Sequence, residues 1–240
     1  MRLVCPSKKN IVQPNMMIGS PIQNRQSCLV SYLENIRNLN YPKEKIHLAF
    51  LLNNSHDDSY EILKTFRNEY LKDYRKISIW DVCGLNDDYQ DFRAPGRNYK
   101  HIADARNLWL TMFDSESEYL FSIDSDILVE PETLNKLLSR KKDICSALIW
   151  NNHAGPTNLY NILRKNRSGY YKVIEREFED DVIEVDVTGA CYLINRNVID
   201  SGVRYSHHTW GEDFGFCIAA QKKGFEIFCD TTQRPYHIKA

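Results

Sequence analysis

The sequence lacks several features that would assign it to a particular class of protein. It has no run of about 18 apolar residues, the length that crosses a bilayer as a helix, and residues 1–10 contain no apolar run suited to a signal peptide. Its net charge of −1 gives no general attraction to nucleic acid or to anionic membranes. These absences predict a soluble, cytoplasmic protein with no transmembrane segment and no nucleic-acid partner.

The cysteines also lack a recognisable motif. Seven are present, an odd number, and none belongs to a CxxC pair. Cys145 lies in an apolar segment, where a buried free thiol is the expected state. The pattern indicates a reducing compartment, although a catalytic domain taken from a longer chain would show the same pattern.

Strand and helix patterns alternate in the first part of the chain. A short apolar run at 16–20, a nearly continuous one at 46–52 and the segment 77–82 predict strands, and the spacing of apolar residues at 25–38 and 59–71 predicts helices between them. Short connections of this kind favour right-handed crossovers and a parallel sheet. The predicted fold class is α/β, with a mixed, mostly parallel sheet flanked by helices. No repeat, low-complexity tract or clear linker divides the chain, which predicts one domain over residues 1–240.

The later part of the chain has less regular patterns. Residues 150–170 mix Asn, Gly, Pro and basic residues without periodicity, which is typical of a long loop that covers a ligand. The remaining predicted elements are helices over 101–113, 132–140 and 214–223, strands over 119–123, 144–149 and 225–228, and two strands within 182–194.

The triplet Asp124-Ser125-Asp126 follows directly after the apolar strand at 119–123. Side chains that follow a strand of an open α/β sheet lie at its carboxyl edge, where ligands bind. Two carboxylates one residue apart can face a hard divalent cation together at that edge. Asp is also a common turn residue, so the triplet by itself leaves a solvated turn as the alternative interpretation.

Six short motifs follow one another along the chain, and none of them is specific alone. They are Ser20-Pro21 with Asn24-Arg25, Asn53 to Ser59, Ala105-Arg106-Asn107, Asp124-Ser125-Asp126, Gly189, and Gly211-Glu212-Asp213. Their order and spacing, over about residues 16–237, resemble the GT-A glycosyltransferases, especially the family 2-like group. The resemblance implies a GT-A fold with a nucleotide-binding half at 1–125 and an acceptor-binding half at 126–240. It also implies transfer of a sugar from a nucleotide-sugar donor to a carbohydrate or other hydroxyl acceptor.

The resemblance implies a metal site as well. Asp126 is expected to be the first metal ligand, and Asp124 to contact the metal, a metal-bound water or the donor ribose. His237 corresponds in position to a late histidine that completes the metal site in similar enzymes. The ion would be Mn²⁺ or Mg²⁺, and an imidazole ligand favours Mn²⁺. The alternative for His237 is an unattached tail residue.

The expected donor-binding residues share positions with the nucleotide site of similar enzymes. They are Ser20, Pro21, Asn24, Arg25 and Asn53 for the base and ribose, Arg106 for the pyrophosphate or base, and Asp124 and Ser125 of the triplet. Similar enzymes usually have an Asp where this chain has Asn53, but an amide can still hydrogen-bond uracil. We therefore expect a UDP-sugar, with GDP-mannose as the alternative. Arg106 falls on the less apolar side of its predicted helix, so a surface position is its alternative.

The pair Glu212-Asp213 is expected to carry the acid–base chemistry. In similar inverting enzymes the Asp of such a pair removes the acceptor proton, which makes Asp213 the predicted general base and Glu212 a residue that shapes the acceptor site. Trp210 and Gly189 are expected on the acceptor side. Two alternatives remain for the pair: it can position the acceptor of a retaining transferase, or it can interact only with the dipole of the following helix.

Two other functional classes fit the sequence less well than a transferase. A sugar-nucleotide pyrophosphorylase needs a Gly-rich loop with Arg and Lys after the first strand, and residues 19–25 offer one Gly and one Arg. A non-catalytic binding module has no need of both a metal pair and a base. The sequence therefore favours a metal-dependent glycosyltransferase.

Overall fold

The structure is a computed structural model that describes residues 13–82, 99–150, 160–169, 171–173 and 181–238. The predicted ligand-covering loop falls partly outside this set. No helix within the described residues is long and apolar enough to cross a bilayer. The five cysteines that are described are buried and carry free thiols, as predicted for Cys145.

The elements alternate between strand and helix in the first part of the chain, as the sequence predicted. In order they are β1 Met16–Ile22, α1 Gln26–Arg37, β2 Ile46–Asn53, α2 Ser59–Tyr70, β3 Lys76–Val82, α3 Tyr99–Leu110, β4 Tyr119–Ile123, β5 Ile127–Leu128, α4 Thr133–Ser139, β6 Ile144–Ala147, β7 Leu163–Lys165, β8 Tyr171–Val173, β9 Val182–Val185, β10 Cys191–Asn195, α5 Arg196–Asp200, α6 Glu212–Lys222, β11 Ile227–Asp230 and β12 Tyr236–His237.

Eight strands form one sheet in the order β3-β2-β1-β4-β10-β6-β11-β9. The first four are parallel to their neighbours, as are β6 and β11. Strand β10 lies antiparallel between β4 and β6, and β9 is antiparallel to β11. Parallel pairs outnumber antiparallel pairs, so the predicted mixed, mostly parallel sheet is confirmed.

The core lies on both faces of this sheet. On one face, Leu29 of α1, Leu63 of α2 and Leu137 of α4 pack in one buried cluster. On the other face, Trp109 of α3 and Phe216 of α6 pack in a second. Because helices cover both faces, the central strands β1, β2 and β4 are buried along almost their whole length and show no alternation of buried and exposed residues.

Strand β1 extends two residues beyond the predicted strand at 16–20. Ser20 and Pro21 therefore lie within the strand, paired with Phe50 and Leu51, and not in a turn after it. Pro21 is tolerated because β4 pairs with β1 only as far as Gly19, so that no partner on that side needs its missing N–H.

Several other predicted boundaries were wrong by two or more residues. Helix α3 covers 99–110 in place of 101–113, and α6 begins at Glu212, two residues before the predicted start. Strand β6 ends at Ala147 and not at 149, and β11 covers 227–230 in place of 225–228. Strands β7 and β8 form an antiparallel pair that was not predicted, because three-residue strands are too short to show periodicity.

We predict that Gly19→Ala strongly destabilises the fold. Gly19 has φ +151°, and a Cβ there would lie 2.0 Å from the Ala49 carbonyl oxygen of β2. The substitution is expected to cost about 3 kcal/mol or more, because the backbone of a central strand cannot move aside. Chemical denaturation measures the loss.

The matched control is Gly202→Ala. Gly202 also has a left-handed φ, +88°, but a Cβ there meets nothing within 4 Å. Only the conformational cost of about 1 kcal/mol applies to that variant. Equal losses in the two variants would show that the contact with Ala49 has no energetic importance.

Candidate active site

A cleft opens at the carboxyl ends of β1, β2 and β4, and it encloses about 160 Å³. Its lining combines sequence-predicted residues with others that the sequence did not indicate. The lining residues are Pro21, Ile22, Gln23, Arg25, Asn53, His101, Ile102, Ala105, Arg106, Asp124, Ser125 and Glu212. A cleft of this size accommodates part of an extended ligand, since sites for drug-sized ligands enclose about 300–1,000 Å³.

Arg106 connects two acidic residues at the base of the cleft. Its Nη2 donates to Asp124 Oδ1 and its Nε donates to Glu212 Oε1, both at 2.8 Å. Arg106 and Glu212 are buried. The guanidinium therefore joins α3 to the turn after β4 and to the first turn of α6.

The electrostatics of this group follow from burial and opposed charges. Burial by itself lowers the pKa of Arg106, but the negative charges of Asp124, Asp213 and Glu212 outweigh it and raise that pKa above its ordinary value. Burial raises the pKa of Asp124, against the attraction of Arg106. Arg106 is therefore a permanent cation on which the neighbouring carboxylates depend.

The burial of Arg106 corrects the prediction of a less apolar helix side. Arg106 shares a face of α3 with Ile102 and Trp109, which are four and three residues from it, and Ala105 is adjacent to it in sequence. All four side chains therefore point toward the sheet or the cleft. The sequence contains a sign of this burial, because a charged residue on an apolar helix face is expected to be buried and paired with an opposite charge.

Asp126 lies beside His237 and beside Arg25, which lines the cleft. Its Oδ2 is 3.5 Å from Arg25 Nη2 and 3.8 Å from His237 Nε2. Burial raises the pKa of Asp126, but the neighbouring His237 and the Arg25 charge outweigh it and hold the pKa below its ordinary value.

His237 is positioned by the small sheet of β12 and β5. It pairs with Ile127 in the antiparallel ladder, and the next amide, Ile238 N–H, donates to the Asp126 carbonyl at 2.8 Å. The structure thus places His237 next to the triplet. This position disagrees with the alternative that His237 is an unattached tail residue.

The donor groups at Asp126 fit a divalent cation only in part. Within the described residues, no group of three or more His, Cys, Asp or Glu side chains could hold a metal ion. Four carboxylates nevertheless outnumber two guanidinium groups around the cleft, which favours an additional positive charge. They are Asp124, Asp126, Glu212 and Asp213, against Arg25 and Arg106. Asp126 and His237 supply one oxygen and one nitrogen, so water and ligand phosphate would have to complete the coordination.

Asp213 is half-buried in the first turn of α6, next to Glu212. The Tyr192 hydroxyl donates to its Oδ1 at 2.9 Å. Burial is the main reason that the pKa of Asp213 is raised to about 7; Glu212 and Asp124 add to the shift, while Arg106 and the Tyr192 hydroxyl oppose it. A carboxylate with this pKa can accept a proton near neutral pH, which is the property of a general base.

Gly189 makes space for the Asp213 carboxylate. A Cβ at position 189 would lie 2.1 Å from Asp213 Oδ2. The next residue, Ala190, has a left-handed φ of +66°, which costs an alanine about 1 kcal/mol, and its carbonyl accepts from the Asp124 amide at 2.8 Å. The Gly-Ala turn before β10 therefore contacts both the triplet and Asp213.

Asn53 and His101 form a polar pair in the cleft wall. The Asn53 side-chain nitrogen lies 3.0 Å from His101 Nε2, and an amide nitrogen can only donate. Asn53 is 3% exposed, and its Oδ1 has no hydrogen-bond partner among the residues that the structure describes. His101 was missed at the sequence level, because a single histidine near the start of a predicted helix carries no specific signal.

The remaining predicted residues are spread around the cleft. Ser125 is buried in its wall, and Ser20 is buried inside β1, outside the lining. Asn24 holds the turn after β2, accepting from His56 N–H at 2.8 Å, and does not line the cleft. Trp210 is 63% exposed and lies 5.8 Å from the Phe214 ring, between centroids. The structure thus brings most, but not all, of the predicted residues together.

Comparison with known proteins places this arrangement in a family. The Anp1 family matches residues 5–167, more than half of the 240 residues. The chain belongs to the Anp1 family.

Procollagen-lysine,2-oxoglutarate 5-dioxygenase 1 of Gallus gallus is 23% identical over 241 residues, which cover 96% of this chain and 31% of that protein. Procollagen galactosyltransferase 1-A of Xenopus laevis is 25% identical over 171 residues, which cover 69% of this chain and 27% of that protein. The chain thus spans less than a third of the length of these two relatives.

Solved structures show the same fold at low sequence identity. S. aureus TarS in complex with UDP-GlcNAc superposes with a TM-score of 0.61 at 14% identity, over 94% of this chain and 59% of that chain. GalNAc-T7 with UDP, GalNAc and Mn²⁺ gives a TM-score of 0.59 at 15% identity, over 96% of this chain and 45% of that chain. Both are GT-A glycosyltransferases, so the predicted fold is confirmed and this Anp1-family chain is related to that class of enzyme.

We predict that Arg106→Leu destabilises the protein by about 3 to 5 kcal/mol, because it leaves Asp124 and Glu212 without their buried partner. Chemical denaturation at pH 7 measures the loss. The control is Lys64→Leu, which removes a cation 3.2 Å from Glu61 in an exposed pair and should change the stability by less than about 1 kcal/mol. A small loss in Arg106→Leu would show that the ion group contributes little to the fold.

A second prediction concerns pH. Because the pKa of Asp213 rises from 3.8 to about 7 on folding, the folded state binds this proton more tightly than the unfolded state. The resulting stabilisation is complete below about pH 4 and is lost as the pH rises through 7. Asp213→Asn is therefore expected to match wild type near pH 4 and to exceed it by roughly 2 to 4 kcal/mol at pH 8.

Unfolding curves of both proteins between pH 4 and pH 8 check this prediction. The control is Asp200→Asn, which removes a carboxylate that is 57% exposed on α5. We expect a much smaller pH-dependent gain in that variant. A constant difference between Asp213→Asn and wild type at all pH values would contradict the raised pKa.

Proposed function

We propose that this Anp1-family chain is a glycosyltransferase that moves a sugar from a UDP-sugar to an acceptor hydroxyl. The observation that carries the proposal is the ionic group Asp124–Arg106–Glu212, which connects the cleft to Asp213. A sugar transferase needs a site for the leaving nucleoside diphosphate next to a base for the incoming hydroxyl. Both are present within one group of side chains.

The polar pair in the cleft wall supports uracil as the base. Because the Asn53 nitrogen donates to His101, its Oδ1 is oriented as a hydrogen-bond acceptor with no partner among the described residues. The Asn53 oxygen can accept from the ring N–H of uracil, and the amino groups of cytosine and adenine can also donate to it, so this contact fits UDP without excluding other bases. The TarS and GalNAc-T7 structures contain UDP-GlcNAc and UDP, which supports UDP, whereas the PcManGT mannosyltransferase structure contains GDP-Man, the alternative donor.

Positively charged groups would receive the donor pyrophosphate. Arg25 lines the cleft, and the buried Nη1 of Arg106 has no hydrogen-bond partner within the described residues. Asp126 and His237 would hold Mn²⁺ or Mg²⁺, which supplies Lewis-acid neutralisation of the leaving phosphate when bound. The Mn²⁺ in the GalNAc-T7 structure supports manganese. Asp124 would contact the metal or the ribose.

On the acceptor side, Asp213 accepts the proton of the attacking hydroxyl. Its raised pKa and partial exposure suit a single inverting displacement, whereas a retaining enzyme would use the Glu-Asp pair only to position the acceptor. Trp210 presents an exposed ring on which a sugar can stack. Gly189, which has no Cβ, leaves the space that the Asp213 carboxylate occupies. The cytoplasmic location and the single-domain organisation stay predictions.

The proposal is tested by thermal shift with UDP, GDP, CDP and ADP, each with and without Mn²⁺. We expect UDP with Mn²⁺ to stabilise the protein most, by about 2.7 kcal/mol at a hundred times its dissociation constant. GDP, the nucleotide of the alternative donor, should follow, and CDP and ADP should stabilise the protein least because neither belongs to the proposed or the alternative donor. Asp126→Ala should remove the manganese dependence.

The control for that variant is Asp58→Ala, which removes a carboxylate that lies outside the cleft, in the turn before α2, and accepts from the Gln26 side chain. It should retain the manganese-dependent shift in full. Absence of a shift with every nucleotide would contradict the donor site. A GDP shift larger than the UDP shift would replace the UDP-sugar by a GDP-sugar.

A further inference from the structure

Two buried tyrosines lie behind Asp213, and the proposed transfer chemistry gives them no task. The hydroxyl of Tyr192, in β10, lies 2.9 Å from Asp213 Oδ1 and 2.5 Å from the hydroxyl of Tyr205. Each hydroxyl has one proton to donate, and an ionised carboxylate can only accept. When Asp213 is ionised, Tyr192 therefore donates to it and Tyr205 donates to Tyr192.

The surrounding structure fixes both hydroxyls in place. Tyr192 is held in the sheet by its pairing with Ser122 of β4 and Ser146 of β6. The Asn107 side chain makes two hydrogen bonds to the backbone of Tyr205. Its Nδ2 donates to the Tyr205 carbonyl at 2.8 Å, and its Oδ1 accepts from the Tyr205 N–H at 2.9 Å. Its ring stacks on Phe216 with 4.6 Å between centroids. The two donors are therefore preorganised, and they do not depend on a mobile side chain.

The two oxygens of Asp213 have different surroundings. Oδ1 accepts from Tyr192, whereas Oδ2 occupies the space above Gly189 that a Cβ would fill. Since the carboxylate is planar, fixing one oxygen by a hydrogen bond and the other by shape determines its orientation. The carboxylate of the partly exposed Asp213 is therefore held in one orientation.

We propose that Tyr192 is a positioning residue for Asp213: its hydroxyl orients the carboxylate and favours the ionised form, and Tyr205 strengthens this effect by donating to Tyr192. The inference rests on the proposed function, in which Asp213 is the base. Hydrogen bonds in such a chain polarise one another, so the second tyrosine acts through the first.

Other charged groups act on Asp213 from each element around it. Glu212 of α6 and Asp124 after β4 disfavour its ionised form, and Arg106 of α3 favours it. The Cys217 thiol faces it one helical turn further along α6. Tyr192 is the hydrogen-bond donor to the carboxylate within the described residues, so removing its hydroxyl should raise the pKa of Asp213.

The test is a titration of the Asp213 carboxyl carbon by ¹³C NMR in wild type and in Tyr192→Phe, with Asp213→Asn used for assignment. We expect the midpoint to move upward by about one pH unit in Tyr192→Phe, the size of one buried hydrogen bond to a charged group. Tyr205→Phe should move it in the same direction by less.

The matched control is Tyr41→Phe, which removes another buried tyrosine hydroxyl, one that donates to the Pro14 carbonyl at 2.6 Å and lies away from Asp213. It should leave the midpoint unchanged. An unchanged midpoint in Tyr192→Phe, or an equal shift in Tyr41→Phe, would overturn the inference. Melting curves of all variants confirm that each is folded.

The pH dependence of UDP release from UDP-glucose, with Mn²⁺ and with water as acceptor, separates this inference from the proposed function. If Asp213 is the base, the inflection of kcat/KM should follow the NMR midpoint upward in Tyr192→Phe. A shifted NMR midpoint with an unshifted inflection would confirm the positioning by Tyr192 and contradict the role of Asp213 as base. An unshifted NMR midpoint contradicts the inference whatever the activity.

Discussion

The buried charge of Arg106 is the constraint on which the geometry of the candidate site depends. A guanidinium removed from water must be paired, and its fork of donors can satisfy two carboxylates at fixed angles. Asp124 and Glu212 occupy those two positions, although they lie far apart in the sequence. The requirement to neutralise one cation therefore determines how α3, β4 and α6 meet.

This pairing also separates the acidic residues by role. Asp124 and Glu212 are satisfied by Arg106, and Asp126 by Arg25 and His237, whereas among the described residues a tyrosine hydroxyl is the hydrogen-bond donor to Asp213. Burial, with the nearby charges of Glu212 and Asp124, raises the pKa of Asp213 to about 7. The carboxylate that is least compensated is the one suited to exchange a proton.

Much of the fold could be predicted from the sequence, because strands and helices there are long and regular. The triplet at the end of β4 could also be predicted, because it directly follows an apolar strand. His237 could be predicted from its late position in the order of motifs. The contacts of Tyr192 with Asp213 and of Asn53 with His101 were not found. They join residues far apart in sequence, and β10 is buried on both faces, so its pattern does not show which side chains face the site.

Strand β10 has a further consequence for the molecule as a whole. It belongs to the second half of the chain but lies between β4 and β6, and it covers the edge of the parallel strands built by the first half. Without it, β4 would present a row of unpaired backbone groups and an apolar surface, a template for aggregation. The segments before and after residue 125 therefore depend on each other to fold, because the sheet that they build is shared.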